Sequence, residues 1–241
     1  MPEAPGGHID ARRVEIAVAL DRTRRRIVAA CAEVTRDPGE VTLVAVTKTY
    51  PASDVRHLLA LGVYDIGENR DSEASVKAAE VGPGPRWHFV GQLQRNKCRS
   101  VVGYATMVHS VDRASLALTL AEAVAQEERA PLDVLLQVSL DGDPSRGGVP
   151  PTDLHRLADV VIDRPELTLR GLMAVAPLGW EPVRAFDHLA QVYGDFGIGY
   201  PTVDVLSAGM SGDLTEAIRA GATHVRVGSA LLGRQPAAGL A

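Results

Sequence analysis

Two textures alternate along the chain. From Ile16 onward, Leu20, Thr23, Ile27, Cys31 and Val34 recur at three- and four-residue steps with Arg and Glu between them, the spacing of an amphipathic helix. Short aliphatic runs then follow near 41–47, 63–66, 86–91, 105–109, 132–138, 168–175, 202–206 and 223–228, and each reads as a strand. Between them lie helix-length stretches such as "VDRASLALTLAEAVAQEER" and "PPTDLHRLADVVID". Eight strands, each trailed by a helix-length segment, match the arithmetic of an α/β chain folded as a single (β/α)8 TIM barrel with an extra N-terminal helix. A doubly wound sheet usually needs fewer strands and a reversal in their order. The expected layout is a flexible N-terminus at 1–9, the barrel over 10–234 and a flexible C-terminus at 235–241. "GPGP" at 82–85 and "DGDPSRGG" at 141–148 are loop-sized rather than linkers.

The first run, "VTLVAVTKTYPASD" at 41–54, carries a lysine where burial would end. Catalytic groups in a barrel collect at the carboxyl ends of the strands, and alternation places Thr42, Val44, Val46 and Lys48 on one face. If the valines line the barrel, Lys48 points into its mouth. There it is expected to lose part of its hydration, so that its pKa falls and it can attack a carbonyl to form a Schiff base. A lysine reaching past the rim into water is the plain alternative.

Two glycine-containing stretches complement that amine. "LSAGMSGDLTEAI" at 206–218 brackets Met210 and Ser211 with Gly209 and Gly212 just before a helix, where backbone N–H groups and a hydroxyl can meet an anion. Asp213 and Glu216 also have the spacing of a capping box, a purely structural use. "THVRVGSALLG" ends the eighth run on Gly228 and Ser229, and loops after strands seven and eight are where phosphate sites recur in this fold. On that last strand His224, Arg226 and Gly228 share a face. An inward Arg226 needs either a ligand or a carboxylate such as Glu68. Glu68, Asn69, Gln92 and Asn96 are polar residues directly after strands, whereas His88 alternates with Val90 and reads as a satisfied core histidine. "GDFGIG" at 194–199 follows no strand, and "DGDPSR" has Arg146 where a calcium loop needs glycine.

Composition removes other classes. A net charge of -5 with no long basic run leaves no nucleic-acid or anionic-membrane footprint. Two cysteines, Cys31 and Cys98, are too few for a disulfide framework and lack zinc spacing, so both are expected as packed thiols. The first residues lack an apolar signal core and nowhere do eighteen apolar residues run together, which points to the cytosol.

With these residues assembled, the chain resembles the pyridoxal 5'-phosphate homeostasis proteins over about residues 10 to 234. "AVTKTYP" is similar to that family's lysine motif, usually written AVSKTKP; "IGENR" to its FGEN segment; and "WHFVGQLQRNK" to its WHFIGxLQxNK. "GLMAVAP", "LSAGMSGD" and "VRVGSALLGR" follow in the family's order. The resemblance implies a fold-type III PLP-binding barrel related to the amino-terminal domain of alanine racemase, with pyridoxal 5'-phosphate as an internal aldimine on Lys48. It also implies phosphate contacts from Gly209, Met210, Ser211, Gly228 and Ser229, Arg226 facing the pyridine nitrogen, and Asn69 near the ring. Three departures stand out. Arg146 lies where the family commonly has a lysine, Arg70, Asp71 and Ser72 replace the residues that usually follow FGEN, and Ser229 replaces a common Thr.

An arginine at the ring nitrogen weakens the electron sink that most reactions of this cofactor need. The chain also ends soon after the eighth strand, with no second domain expected to supply another base. The expectation is therefore a monomeric, non-catalytic homeostasis protein that holds the cofactor reversibly and delivers it to PLP-dependent apo-enzymes. A PLP-dependent amino-acid racemase and a cofactor-free sugar-phosphate aldolase are the rivals.

Overall fold

The computed structural model describes residues 10–143 and 146–233, so the two tails expected to be flexible lie outside the described residues. The chain opens with helix α1 (Ala11–Glu33), started by Asp10, whose carboxylate accepts from the Arg12 and Arg13 N–H groups. Its buried stripe is Ile16, Leu20, Thr23, Ile27, Ala30 and Cys31, the periodicity expected from sequence except that Val34 lies past the helix end and is exposed. Burying each large aliphatic of that stripe contributes about 1.5–3 kcal/mol.

Eight parallel strands then close into a barrel in chain order, β1 pairing with both β2 and β8. They are β1 (Thr42–Val46), β2 (Asp65–Glu68), β3 (Arg86–Phe89), β4 (Ala105–Val111), β5 (Leu132–Val138), β6 (Leu167–Ala174), β7 (Val205–Ser207) and β8 (His224–Val227). The helices between them are α2 (Ala52–Ala60), α3 (Asp71–Val81), α4 (Cys98–Val102), α5 (Ala114–Gln126), α6 (Leu154–Ile162), α7 (Pro182–Gly199) and α8 (Leu214–Arg219), with a final turn α9 (Ser229–Leu232). Chain-ordered closure without a free edge is the TIM-barrel solution to covering a parallel sheet.

Side-chain alternation divides each strand between two cores. Ala45, Ile66, Val225 and Val227 face outward into the layer beneath α1 and α2, whereas Val44 and Val46 face the lumen beside Gly67. Inside the barrel, Met107, Leu135, Met173 and Val205 form a small apolar cluster contributed by β4 to β7. The opposite part of the lumen is polar, holding Asp65, His88, His109, Ser207 and Arg226. Both cysteines are buried free thiols. Among the described residues no helix is long and apolar enough to cross a membrane.

Candidate functional site

A cavity of about 490 Å3 opens at the carboxyl ends of the strands, and Lys48, Asn69, Met210, Ser211, Arg226, Gly228 and Ser229 all line it. Val46, Val90 and Val175 supply apolar wall between these polar groups. Gln92 and Asn96 are not among the lining residues. Gly209, the eighth residue singled out by sequence, sits behind the loop. Its φ is +86°, and a Cβ there would meet the Ala217 methyl at 2.6 Å, so only glycine lets the loop lie on α8.

The lysine segment is held from below. β1 stops at Val46, so Lys48 belongs to the turn after the strand and is exposed at the mouth, not withdrawn from water as its alternation with the valines predicts. The turn closes through the Tyr50 N–H donating to the Thr47 carbonyl at 3.0 Å, with Thr49 in left-handed backbone at φ +68°. A β-branched residue is uncommon there. The Thr49 N–H donates to Glu73 at 3.0 Å, which holds the turn against α3.

Beneath the turn lies an ion pair that is almost completely buried. Lys77 Nζ is 2.5 Å from Glu68 Oε1 and donates to the Thr47 carbonyl at 2.8 Å, while Thr47 Oγ1 donates to the same carboxylate oxygen at 2.5 Å. Among the described residues Glu68 Oε2 has no hydrogen-bond partner. Burial pushes the Glu68 carboxyl above its ordinary pKa despite the opposing bonds from Lys77 and Thr47. The carboxylate considered from sequence as a partner for Arg226 thus pairs with Lys77 instead. Asn69 follows directly, and its carbonyl would lie 2.2 Å from a Cβ at Gly91, so the β3 loop crosses this site only because residue 91 has no side chain.

The loops after β7 and β8 are tied to each other and to α1. The Ser211 hydroxyl accepts from the Ala230 N–H at 3.2 Å, and Arg26 of α1 donates to the Ser211 carbonyl at 2.8 Å. Asp213 does not cap α8; its carboxylate accepts from the Met210 N–H at 2.6 Å, closing the turn around Ser211. The Arg226 N–H donates to the Gly209 carbonyl at 2.9 Å, which fixes one loop to the neighbouring strand. Arg146, where the resemblance expects a lysine, is paired with Asp141 and Asp143 of its own loop.

Arg226 is 5% exposed, and burial pulls its pKa down to about 10, leaving it charged at neutral pH. One guanidinium nitrogen donates to Ser207 Oγ at 2.6 Å and the other to the Ala174 carbonyl at 2.9 Å. Sequence reasoning placed Arg226 inward and His88 in the core. It missed Asp65, His109 and Ser207, although the alternation of Met107 with His109 was a signal that His109 faces the lumen.

The lumen histidines carry a pH prediction. Desolvation holds the fully buried His109 well below the ordinary imidazole pKa, and burial brings His224 down to about 4. Both stay neutral in the fold while an unfolded imidazole titrates near 6.5, so unfolding takes up two extra protons at mildly acidic pH. Their contribution to stability is complete above about pH 6.5 and falls as pH drops, at up to about 2–3 kcal/mol per unit for two protons. Asp65 works the same way at lower pH. Desolvation raises its pKa, but bonds from His88 and Arg86 outweigh that and hold it well below the ordinary value. Urea midpoints measured from pH 7.5 to 4.5 should hold level at first and fall below about pH 6.5, and His224→Gln should lessen that fall. A level curve in the wild type would contradict neutral buried rings.

Comparison with known proteins gives this geometry a context. Residues 18–236 match the family model "Alanine racemase, N-terminal domain". A Mycobacterium tuberculosis protein named pyridoxal phosphate homeostasis protein is 43% identical over 241 residues, covering 92% of this chain and 93% of that one. An Escherichia coli K12 protein of the same name is 38% identical over 226 residues, covering 91% and 96%. A solved structure of PipY from Synechococcus elongatus PCC7942 with PLP bound is 34% identical at a TM-score of 0.79, covering 90% of this chain and 100% of that one. Closed eight-stranded barrel, near-complete coverage and ordered motifs agree: the chain belongs to the alanine racemase N-terminal domain family, among the pyridoxal phosphate homeostasis proteins.

Proposed function

We propose that this protein binds pyridoxal 5'-phosphate reversibly in the cavity at the barrel mouth and serves vitamin B6 homeostasis rather than amino-acid turnover. The observation that carries the reading is that one cavity is lined by an amine, Lys48, by two hydroxyl-bearing loop residues, Ser211 and Ser229, and by a buried guanidinium, Arg226. These groups fit a ligand that is at once an aldehyde, a phosphate monoester and a pyridine. The cofactor would supply an aldehyde carbon to which the Lys48 nitrogen bonds with loss of water. Ser211, Ser229 and the backbone from Gly209 through Gly228 would hold the phosphate, and Asn69 and Met210 would flank the ring.

Arg226 decides between holding the cofactor and using it. A charged, donor-only group facing the ring nitrogen opposes protonation there, which weakens carbanion stabilisation. Lys48, exposed at the mouth, is accessible to an incoming amine, which suits release to PLP-dependent apo-enzymes. We place the protein in the cytoplasm as a monomer. Its two cysteines are free, and its exposed large aliphatics are spread over α1, α3, α6, α7 and the loop after β6.

Titration of the purified protein with pyridoxal 5'-phosphate, followed in the visible spectrum, tests this. A saturable band with no racemisation or transamination of added amino acids is expected. Ser211→Ala and Ser229→Ala should each raise the dissociation constant about tenfold or more, since each removes a hydrogen bond to a charged ligand. Turnover of an amino acid at an ordinary enzymatic rate would overturn the reading.

A further inference from the structure

Arg226 is a buried charge whose two terminal nitrogens bond only neutral groups, Ser207 Oγ and the Ala174 carbonyl. A buried guanidinium in that position is costly unless an anion is coupled to it. Asp213, in the loop after β7, supplies one charge that favours the guanidinium, and a second anion is joined to it by hydrogen bonds across the lumen. Ser207 Oγ is 3.0 Å from His109 Nδ1, His109 Nε2 is 2.9 Å from His88 Nδ1, and His88 Nε2 is 3.0 Å from Asp65 Oδ1. Five side chains from β2, β3, β4, β7 and β8 thus form one unbroken chain through the barrel. It runs from the cavity wall to the amino ends of the strands, where Asp65 also accepts from Arg86 at 2.7 Å and 2.5 Å.

For a chain with one proton per link, the chemistry of the two ends sets the direction. Arginine can only donate and an ionised carboxylate can only accept. His88 must therefore carry its proton on Nε2, facing Asp65. With the ring neutral, its Nδ1 accepts from His109 Nε2–H, His109 Nδ1 accepts the Ser207 hydroxyl proton, and Ser207 Oγ accepts from Arg226. All four bonds point the same way, and each proton on the chain has one place to go. His224 flanks both rings, with centroids 6.2 Å and 6.4 Å away, but is engaged with Thr223 Oγ1.

We propose that Asp65, His88 and His109 are positioning residues for the cavity: through a one-way hydrogen-bonded chain they aim the Arg226 guanidinium and give it a counter-charge from the far end of the barrel. The consequence of the chain for a cofactor rests on the reading that Arg226 faces the pyridine nitrogen. Removing the negative end makes the cavity more positive, which disfavours a proton on any ligand bound there.

Two measurements test this. In protein labelled with 15N-histidine and free of ligand at pH 7.5, both rings should show a protonated Nε2 and a bare Nδ1, with signals assigned by their loss in His88→Gln and His109→Gln. A proton on Nδ1 of either ring reverses the chain and overturns the proposal. In protein loaded with pyridoxal 5'-phosphate, Asp65→Asn should keep the visible band but move its pH midpoint down by about half a unit or more. Arg86→Gln, which takes a positive charge from the same end of the chain, should not lower it and should move it, if at all, upward, and Asp65→Glu should restore it. If the wild type gives the band and Asp65→Asn leaves the midpoint unchanged, the inference fails while the cofactor reading stands. A wild type with no band sinks the cofactor reading and leaves the nitrogen spectra to decide the chain. Should Asp65→Asn not fold, those spectra decide alone.

Discussion

Lys48→Ala is expected to abolish the visible band that pyridoxal 5'-phosphate gives with the wild type, without measurable loss of stability. Lys48 is exposed, stands beyond the end of β1 and lines the cavity, so its removal takes away the amine and little packing. Loss of the covalent link should leave phosphate-dominated binding that reverses on dilution. Borohydride treatment followed by peptide mass mapping should place the reduced adduct on Lys48 in the wild type and nowhere in the variant. An adduct on Lys77 or Lys97 in the variant would show that another amine can reach the ligand. A wild-type adduct elsewhere than Lys48 would refute the assignment of the site.

Lys77→Met should have the largest effect on folding. The ammonium is 7% exposed and its partner Glu68 is completely buried, so the substitution strands a carboxylate that already has one oxygen without a partner. Breaking such a pair from one side costs about 3–5 kcal/mol. Glu68→Gln combined with Lys77→Met should recover much of that loss, because the remaining side chain is then neutral. The pH response has a definite sign. A buried carboxyl with a raised pKa binds a proton that the unfolded chain releases, so stability is greatest below the ordinary glutamate pKa and declines as pH rises through the folded value. Urea unfolding of the single variant at pH 7.5 and pH 5 should therefore show the smaller deficit at pH 5. Because Lys77 also holds the Thr47 carbonyl, the variant should bind the cofactor more weakly even where it is folded.

Much of this architecture was legible in the order of residues, and the misplacements have local causes. The second strand begins at Asp65, not Val63, because the Val63 N–H is taken by the Leu58 carbonyl at the end of α2. The seventh begins at Val205, because Val203 is bonded back to Tyr200 in the turn that contains Pro201. Both segments look strand-like in composition, and hydrogen bonds to the preceding helix claim their first residues. The cavity residues were readable because they lie at the ends of β1, β2, β7 and β8 or just after them, and the barrel brings such ends together. The Glu68–Lys77 pair and the lumen chain were not. Lys77 looks like a solvated residue of an amphipathic helix, and Asp65, His109 and Ser207 meet only across the closed barrel, with no local pattern to join them.

The arginines of α1 have a consequence for how the molecule is made. Arg26 grips the carbonyl of a residue 185 positions away, and Arg12 grips that of Leu232, 220 positions away. The loop after β7 and the final turn α9 are thus fastened by a helix that is made before any strand of the barrel. Nothing recognisable as a vitamin pocket can exist on a nascent chain until its last strand has arrived. Capture of the vitamin then reports closure of the barrel, and a ligand that binds only the finished barrel draws late intermediates toward it by mass action.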